Sequence, residues 1–236
     1  MPRLTRHQVR RVDQLAVEEL KIPSIVLMEN ASRNVAQAVL EVLRERKIEP
    51  RKARIAVVCG GGNNGGDGYA VARHLHNAGC GVVVYYVKEP GALEGDARTN
   101  YVIVERMGLS LVALVDGGFR EAASGWEGAQ VIVDAMLGTG FTGSVRAPVD
   151  SVIRRIKEAR KNGATVVAVD IPSGLDCDTG QPGAEGAAVV EADITVTFVA
   201  EKIGCANPAA RSCLGRVIVA DIGAPPSLIE RVVSER

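Results

Sequence analysis

The sequence predicts an α/β protein, and three observations predict it. From residue 54 onward, apolar runs of strand length alternate with segments of helical spacing. Those runs are nearly continuous in Val, Ile and Ala, as strands covered on both faces must be. Three of them open into loops rich in glycine and in acidic, amide or hydroxyl residues, the punctuation of a strand that hands over to a helix. Together these imply a Rossmann-like, doubly wound, mostly parallel sheet with helices on both faces and right-handed crossovers. One domain over residues 1–236 accommodates it, with two N-terminal helices ahead of the sheet.

Each element has its own local reason. Thr5-x-x-Gln8 is a capping box, and Val9, Val12 and Ala16 follow at helical spacing, so a first helix starts there. Lys21-Ile22-Pro23-Ser24 interrupts it. Met28, Ala31, Val35, Val39 and Val42 then stripe a second helix that ends near Arg46. That stripe is expected to pack on the sheet or on a second subunit, and Glu29 and Asn30 to face solvent. Strands are expected at 54–59, 81–87, 110–114, 130–134, 165–171, 194–199 and 217–221. Helices are expected from Asp67, near 95–107, weakly over 119–124, over 148–161 and from Ser227.

Composition removes several classes of function. Lys plus Arg and Asp plus Glu both number 28, so no net field favours nucleic acid or an anionic membrane. No apolar run approaches the roughly 20 residues needed to span a bilayer, and the start lacks the apolar core of a signal peptide. The five cysteines include no C-x-x-C pair, which speaks against a disulfide framework and a zinc site and suits a reducing cytoplasm. A small-molecule partner is the expectation.

The first loop, Cys59-Gly60-Gly61-Gly62-Asn63-Asn64-Gly65-Gly66-Asp67-Gly68, carries the strongest local signal. Glycines let a ligand approach the backbone, and free N–H groups at a helix start favour an anion, so a phosphate or pyrophosphate is the expected guest. A bare phosphate cradle has no need of Asn63, Asn64 and Asp67 as well. Two amides and a carboxylate suit a sugar, a cation or a reacting atom.

Two further loops leave strands in the same way. Asp134 closes one strand before Gly138-Thr139-Gly140-Phe141-Thr142-Gly143-Ser144, and Asp170 closes another before Ile171-Pro172-Ser173-Gly174. In a 3-2-1-4-5 sheet the three loops share one carboxyl edge at the switch point. Asp67, Asp134 and Asp170 would then crowd together, which favours a bound cation to relieve their repulsion. Oxygen ligands from Asn64, Asp134 and Ser173 suit K⁺, Na⁺ or Mg²⁺ rather than zinc. Lys202 follows the sixth strand and either points into the crevice or lies in solvent. His7, His74 and His76 are expected at the surface.

Taken in order, 62-GNNGGDG-68, 133-VDAMLGTG-140 and 169-VDIPSGLD-176 resemble the YjeF N-terminal-domain family, whose members are NAD(P)H-hydrate epimerases. The resemblance runs from Leu27-Met28-Glu29-Asn30-Ala31 through Lys202 to Val219-Ala220-Asp221-Ile222-Gly223. It implies repair of NADH or NADPH hydrated at C6, by interconversion of the R and S epimers for a separate dehydratase. It also implies that Asn63, Asn64, Gly65, Gly66, Asp67, the stretch Gly138 to Ser144 and Asp170 contact the hydrated dinucleotide. Asn64, Asp134 and Ser173 would hold one potassium ion per subunit. Whether the two N-terminal helices pair two copies as a homodimer is left open by the sequence. Ser32, Cys59, Gly61 and the proline-poor segment after Phe198 depart from the family pattern, which bears most on Lys202.

The chemistry suits the residues. C6 of the hydrate is a hemiaminal carbon, so an acid can expel its hydroxyl as water, and water can re-attack the resulting iminium on either face. Asp170 is the candidate acid/base, with Lys202 beside it. The competing readings are a non-catalytic dinucleotide-binding or protein-interaction module and a conventional dehydrogenase. The second lacks a Tyr-x-x-x-Lys pair or a strand-end histidine.

Overall fold

Seven strands form one wholly parallel sheet in the order β3-β2-β1-β4-β5-β6-β7. They are β1 (Arg54–Cys59), β2 (Gly81–Tyr86), β3 (Ser110–Ala113), β4 (Val131–Ala135), β5 (Thr165–Val169), β6 (Ile194–Phe198) and β7 (Arg216–Ala220). The computed structural model describes residues 2–115, 126, 128–184 and 186–235. The expected weak helix at 119–124 lies outside them.

Burial on both sides explains the continuous apolar strands. Ile55, Val57, Val131, Val133, Val167 and Val169 join one core. Their sequence neighbours Ala56, Val58, Ile132, Val166 and Ala168 join the other. The first core is closed by α1 (Arg6–Glu18), α2 (Ser24–Glu45), α3 (Asn63–Asn77) and α4 (Gly95–Arg106). The second is closed by α5 (Val149–Lys161), whose Val152, Ile153 and Ile156 are fully buried. A one-turn α6 (Arg211–Leu214) and α7 (Pro226–Ser234) complete the chain, α7 packing on α1.

The start of the chain is placed by the end of the sheet. Leu4 donates to Glu201 O (2.9 Å) and accepts from Ile203 N (2.9 Å), bridging in parallel to Lys202. The capping box forms as expected: Gln8 N donates to Thr5 Oγ1 (3.3 Å) and Thr5 N donates to Gln8 Oε1 (3.0 Å). This sets α1 across the carboxyl edge rather than on the sheet face.

Two details differ from the sequence reading. Helix α3 begins at Asn63 rather than Asp67, so Asp67 sits in its second turn and caps nothing; the cap is Gly62, with no side-chain bond. Glu29 and Asn30 are half-buried. Asn30 donates to Ile222 O at 2.9 Å, and Glu29 pairs with Arg73 and with His74, the latter at 3.0 Å. His74 is therefore half-buried too, while His7 and His76 are exposed as expected.

Candidate active site

A cavity of about 480 Å³ opens at the carboxyl edge of the central strands. The loop after β1 contributes Gly61 and Gly62 to its lining and the first turns of α3 contribute Asn63, Asn64 and Asp67, while the loop after β4 contributes Met136 to Phe141. Asp170 enters from the end of β5, with Phe198 and Val199 from β6. Three loops do converge. The two N-terminal helices, expected only to pack, also line it: Val9, Arg10, Asp13 and Val17 from α1, and Ser24, Leu27, Met28 and Ala31 from α2.

Asp170 and Lys202 form a buried ion pair, Nζ to Oδ1, at 2.6 Å. Lys202 is 0% exposed, and its ammonium also donates to Thr197 Oγ1 and Phe198 O, each at 2.9 Å. Asp170 Oδ1 further accepts from Thr197 Oγ1 (3.2 Å) and Phe198 N (3.4 Å). Its Oδ2 takes no bond from the described residues and is the oxygen left for a ligand. The solvated alternative for Lys202 is thus excluded: the Leu4 bridge folds its backbone back under the end of β6. Asp170 and Val199 both adopt positive φ, 65° and 68°. Such conformations in non-glycine residues cost about 1–3 kcal/mol each and concentrate at functional sites.

Asp134 is 0% exposed, and both its oxygens are held by Ser173. Ser173 Oγ donates to Oδ1 at 2.6 Å and Ser173 N to Oδ2 at 2.8 Å. Leu137 N donates in turn to Ser173 Oγ at 2.9 Å. The next residue is Gly138, where a Cβ would come within 3.0 Å of Asn64 Oδ1, so the Asn64 side chain lies flat against that backbone. Asn64, Asp134 and Ser173 are therefore grouped around the 137–138 segment. Burial pushes the Asp134 carboxyl up to about 6, the Ser173 bonds opposing, and it has no basic partner among the described residues. The Asn64 Nδ2 atom is buried with no hydrogen bond. Asn64 Oδ1, the Asp134 carboxylate and Ser173 Oγ form an all-oxygen set with no basic partner among the described residues, of the kind that suits a hard cation, whereas the orphaned Asn64 Nδ2 is a donor and calls for an acceptor.

Asp67 and Asp13 complete an acidic lining. Burial, then the charge of Asp170, pushes the Asp67 carboxyl well up, although Ser32 Oγ lies 3.4 Å from its Oδ1 and opposes this. Asp13 is pushed up to about 6, first by burial and then by Asp170, with Lys202 opposing. Its Oδ1 is buried without a partner. Asp13 was invisible in the sequence because it looks like the polar position of an amphipathic helix. Only its offset of three residues from the exposed Arg10, on a helix laid across the loops, marks it.

Several expected contacts are not at the cavity. Gly65 and Gly66 are buried packing positions: a Cβ on Gly65 would meet Gly60 O at 2.0 Å, and one on Gly66 would meet Met28 and Ala97. Thr142, Gly143 and Ser144 are exposed and lie outside the lining. Asp134, Ser173 and Lys202 sit behind the lining rather than in it.

The profile of the YjeF-related protein N-terminus matches residues 24–204. An NAD(P)H-hydrate epimerase of Pirellula staleyi is 41% identical over 96% of this chain and 95% of its own length. One of Limosilactobacillus fermentum is 37% identical over 92% of this chain and 95% of its own. A bifunctional NAD(P)H-hydrate repair enzyme of Moorella thermoacetica is 41% identical over 96% of this chain, which spans only 41% of that relative. The crystal structure of yeast YNL200c shares the fold, with a TM-score of 0.78 at 22% identity, over 98% of this chain and 93% of that one.

Proposed function

Because this chain belongs to the family of YjeF-related N-terminal domains, we propose that it is an NAD(P)H-hydrate epimerase. It interconverts the R and S forms of NADH or NADPH hydrated at C6 of the nicotinamide ring, and a separate dehydratase consumes the S form. The observation that carries the reading is Asp170: a carboxylate fixed through Oδ1 by Lys202 and Thr197, with Oδ2 left free beside the cavity. A rigid proton donor and acceptor next to a hemiaminal carbon is what loss and return of a hydroxyl requires.

The rest of the cavity suits the substrate's other parts. The N-terminus of α3 offers the backbone N–H groups of Asn63 and Asn64 to a pyrophosphate. Arg10 reaches toward Gly140 and can meet a phosphate from the other side. Asn64, Asp134 and Ser173 would hold potassium, which when bound supplies positive charge beside the second loop. Thr142, Gly143 and Ser144 would serve the outer end of the dinucleotide.

The five free cysteines suit a reducing cytoplasm. Pairing of two copies would use the exposed Val17, Leu20 and Val26 near the first helix junction, and sedimentation at micromolar concentration tests it. The deciding experiment supplies the R epimer together with an S-specific dehydratase. Recovery of NADH faster than the spontaneous rate is expected; no acceleration would sink the reading.

A further inference from the structure

Epimerisation at C6 has a stereochemical demand that one carboxylate does not meet. The hydroxyl leaves from one face of the ring and water returns on the other. A group that gives a proton on the first face is badly placed to take one on the second. The cavity holds a second carboxyl on a different wall. Asp13 comes from α1, the helix laid across the loops, whereas Asp170 rises from the end of β5.

We propose that Asp13 is the second acid/base of the reaction, working on the ring face opposite Asp170. The proposal rests on the epimerase reading above. Asp13 lines the cavity and its Oδ1 is buried without any hydrogen-bond partner. An unsatisfied buried carboxyl oxygen is costly unless a ligand completes it. The groups facing it are Asp170, Lys202 and Asp67 from the strand ends and α3, Asp96 at the start of α4, and Arg10 on its own helix. Four carboxyls against so little positive charge favour one proton held on the set. Asp67 Oδ1 already has Ser32 Oγ beside it, whereas Asp13 Oδ1 has no partner, so the proton available to a ligand is one carried by Asp13.

The cycle then balances with water as the only co-reactant. Protonated Asp13 gives its proton to the C6 hydroxyl, the C6–O bond breaks with its electron pair leaving on oxygen as water, and the ring-nitrogen lone pair forms the C6=N bond. A second water adds to the other face; the π pair returns to nitrogen, and the Asp170 carboxylate takes the water's proton. One proton has passed from Asp13 to Asp170 by way of water; exchange with solvent returns it before the same epimer is turned over again, and the opposite epimer uses the roles reversed.

The test follows solvent ¹⁸O into each epimer in parallel with epimerisation. Asp13→Asn should lower epimerisation at least ~100-fold, the size of a lost general acid, yet keep solvent exchange with retention in one epimer. Asp170→Asn should keep exchange only in the other. Asp13→Ser is the second variant, and thermal melts check that both Asp13 variants fold. The proposal is overturned if Asp13→Asn epimerises within about threefold of wild type, or if exchange falls equally in both epimers. It is also overturned if neither Asp13 variant folds, which would make Asp13 structural. Wild type that neither epimerises nor exchanges above the spontaneous rate would instead defeat the epimerase reading itself.

Discussion

Lys202 Nζ lies 2.6 Å from Asp170 Oδ1, and both side chains are buried at the ends of neighbouring strands. Removing one partner from such a pair leaves an uncompensated buried charge and costs about 3–5 kcal/mol. Lys202→Met should therefore lower the free energy of unfolding by that amount in urea. The double variant Lys202→Met/Asp170→Asn should recover much of the stability and none of the activity. A single variant as stable as wild type would separate the two groups.

Asp13 gives the protein a pH dependence. Its carboxyl is raised from 3.8 to about 6 by burial and by Asp170, so the folded state holds the proton more tightly than the unfolded chain. The associated stability is fully present below about pH 4 and is lost as pH rises through about 6. The difference corresponds to at most about 3 kcal/mol, and partial contact with water reduces the expected effect to about 1–2 kcal/mol. Asp13→Asn should gain that much on wild type between pH 4 and pH 7.5 in urea titrations. Parallel curves for the two proteins would contradict it.

Potassium should stabilise the folded protein. A ligand at 100 times its dissociation constant adds about 2.7 kcal/mol. Replacing lithium chloride by potassium chloride at constant ionic strength should raise the Tm. Asn64→Ala should abolish that rise, and Gly138→Ala should reduce it by displacing Asn64. An equal Tm in both salts would remove potassium from the account.

Two neighbouring glycines should behave differently. Gly65→Ala places a Cβ 2.0 Å from the Gly60 carbonyl, so the helix start must move away from β1. A loss of about 3 kcal/mol or more, or insoluble expression, is expected, as for overpacking at its upper end. Gly62→Ala meets nothing within 4 Å at an ordinary φ of −101° and should stay within about 1 kcal/mol of wild type. Thermal melts of the pair decide.

The strands and the loops that follow them were legible because strand period and loop position follow from local sequence, whereas the meeting of the three loops rested on the usual 3-2-1-4-5 winding, which the sheet has. Asp134 and Asp170 were found for that reason: each ends an apolar run. The role of Lys202 was not legible, because what buries it is a bridge to Leu4, almost 200 residues away. Asp13 and the cavity-lining part of α2 were missed for the same cause: helical spacing says which residues share a face but not what the face meets. Gly65 and Gly66, expected at the ligand, lie outside the cavity lining and are packed against Gly60 and against Met28 and Ala97. A glycine needed for close helix packing and one needed for a close ligand look the same in a sequence.

The bridge between Leu4 and the backbone around Lys202 also bears on how the protein is made. Its two halves leave the ribosome with almost the whole domain synthesised between them. The cavity wall formed by α1 and the bonded lysine backbone can come together only after residue 203 has emerged. A nascent chain stalled at β5 would carry the glycine loops and Asp170, but no seated lysine and no closing helix. The α1 wall of the cavity and the seated lysine are thereby withheld from any chain that has not yet reached residue 203.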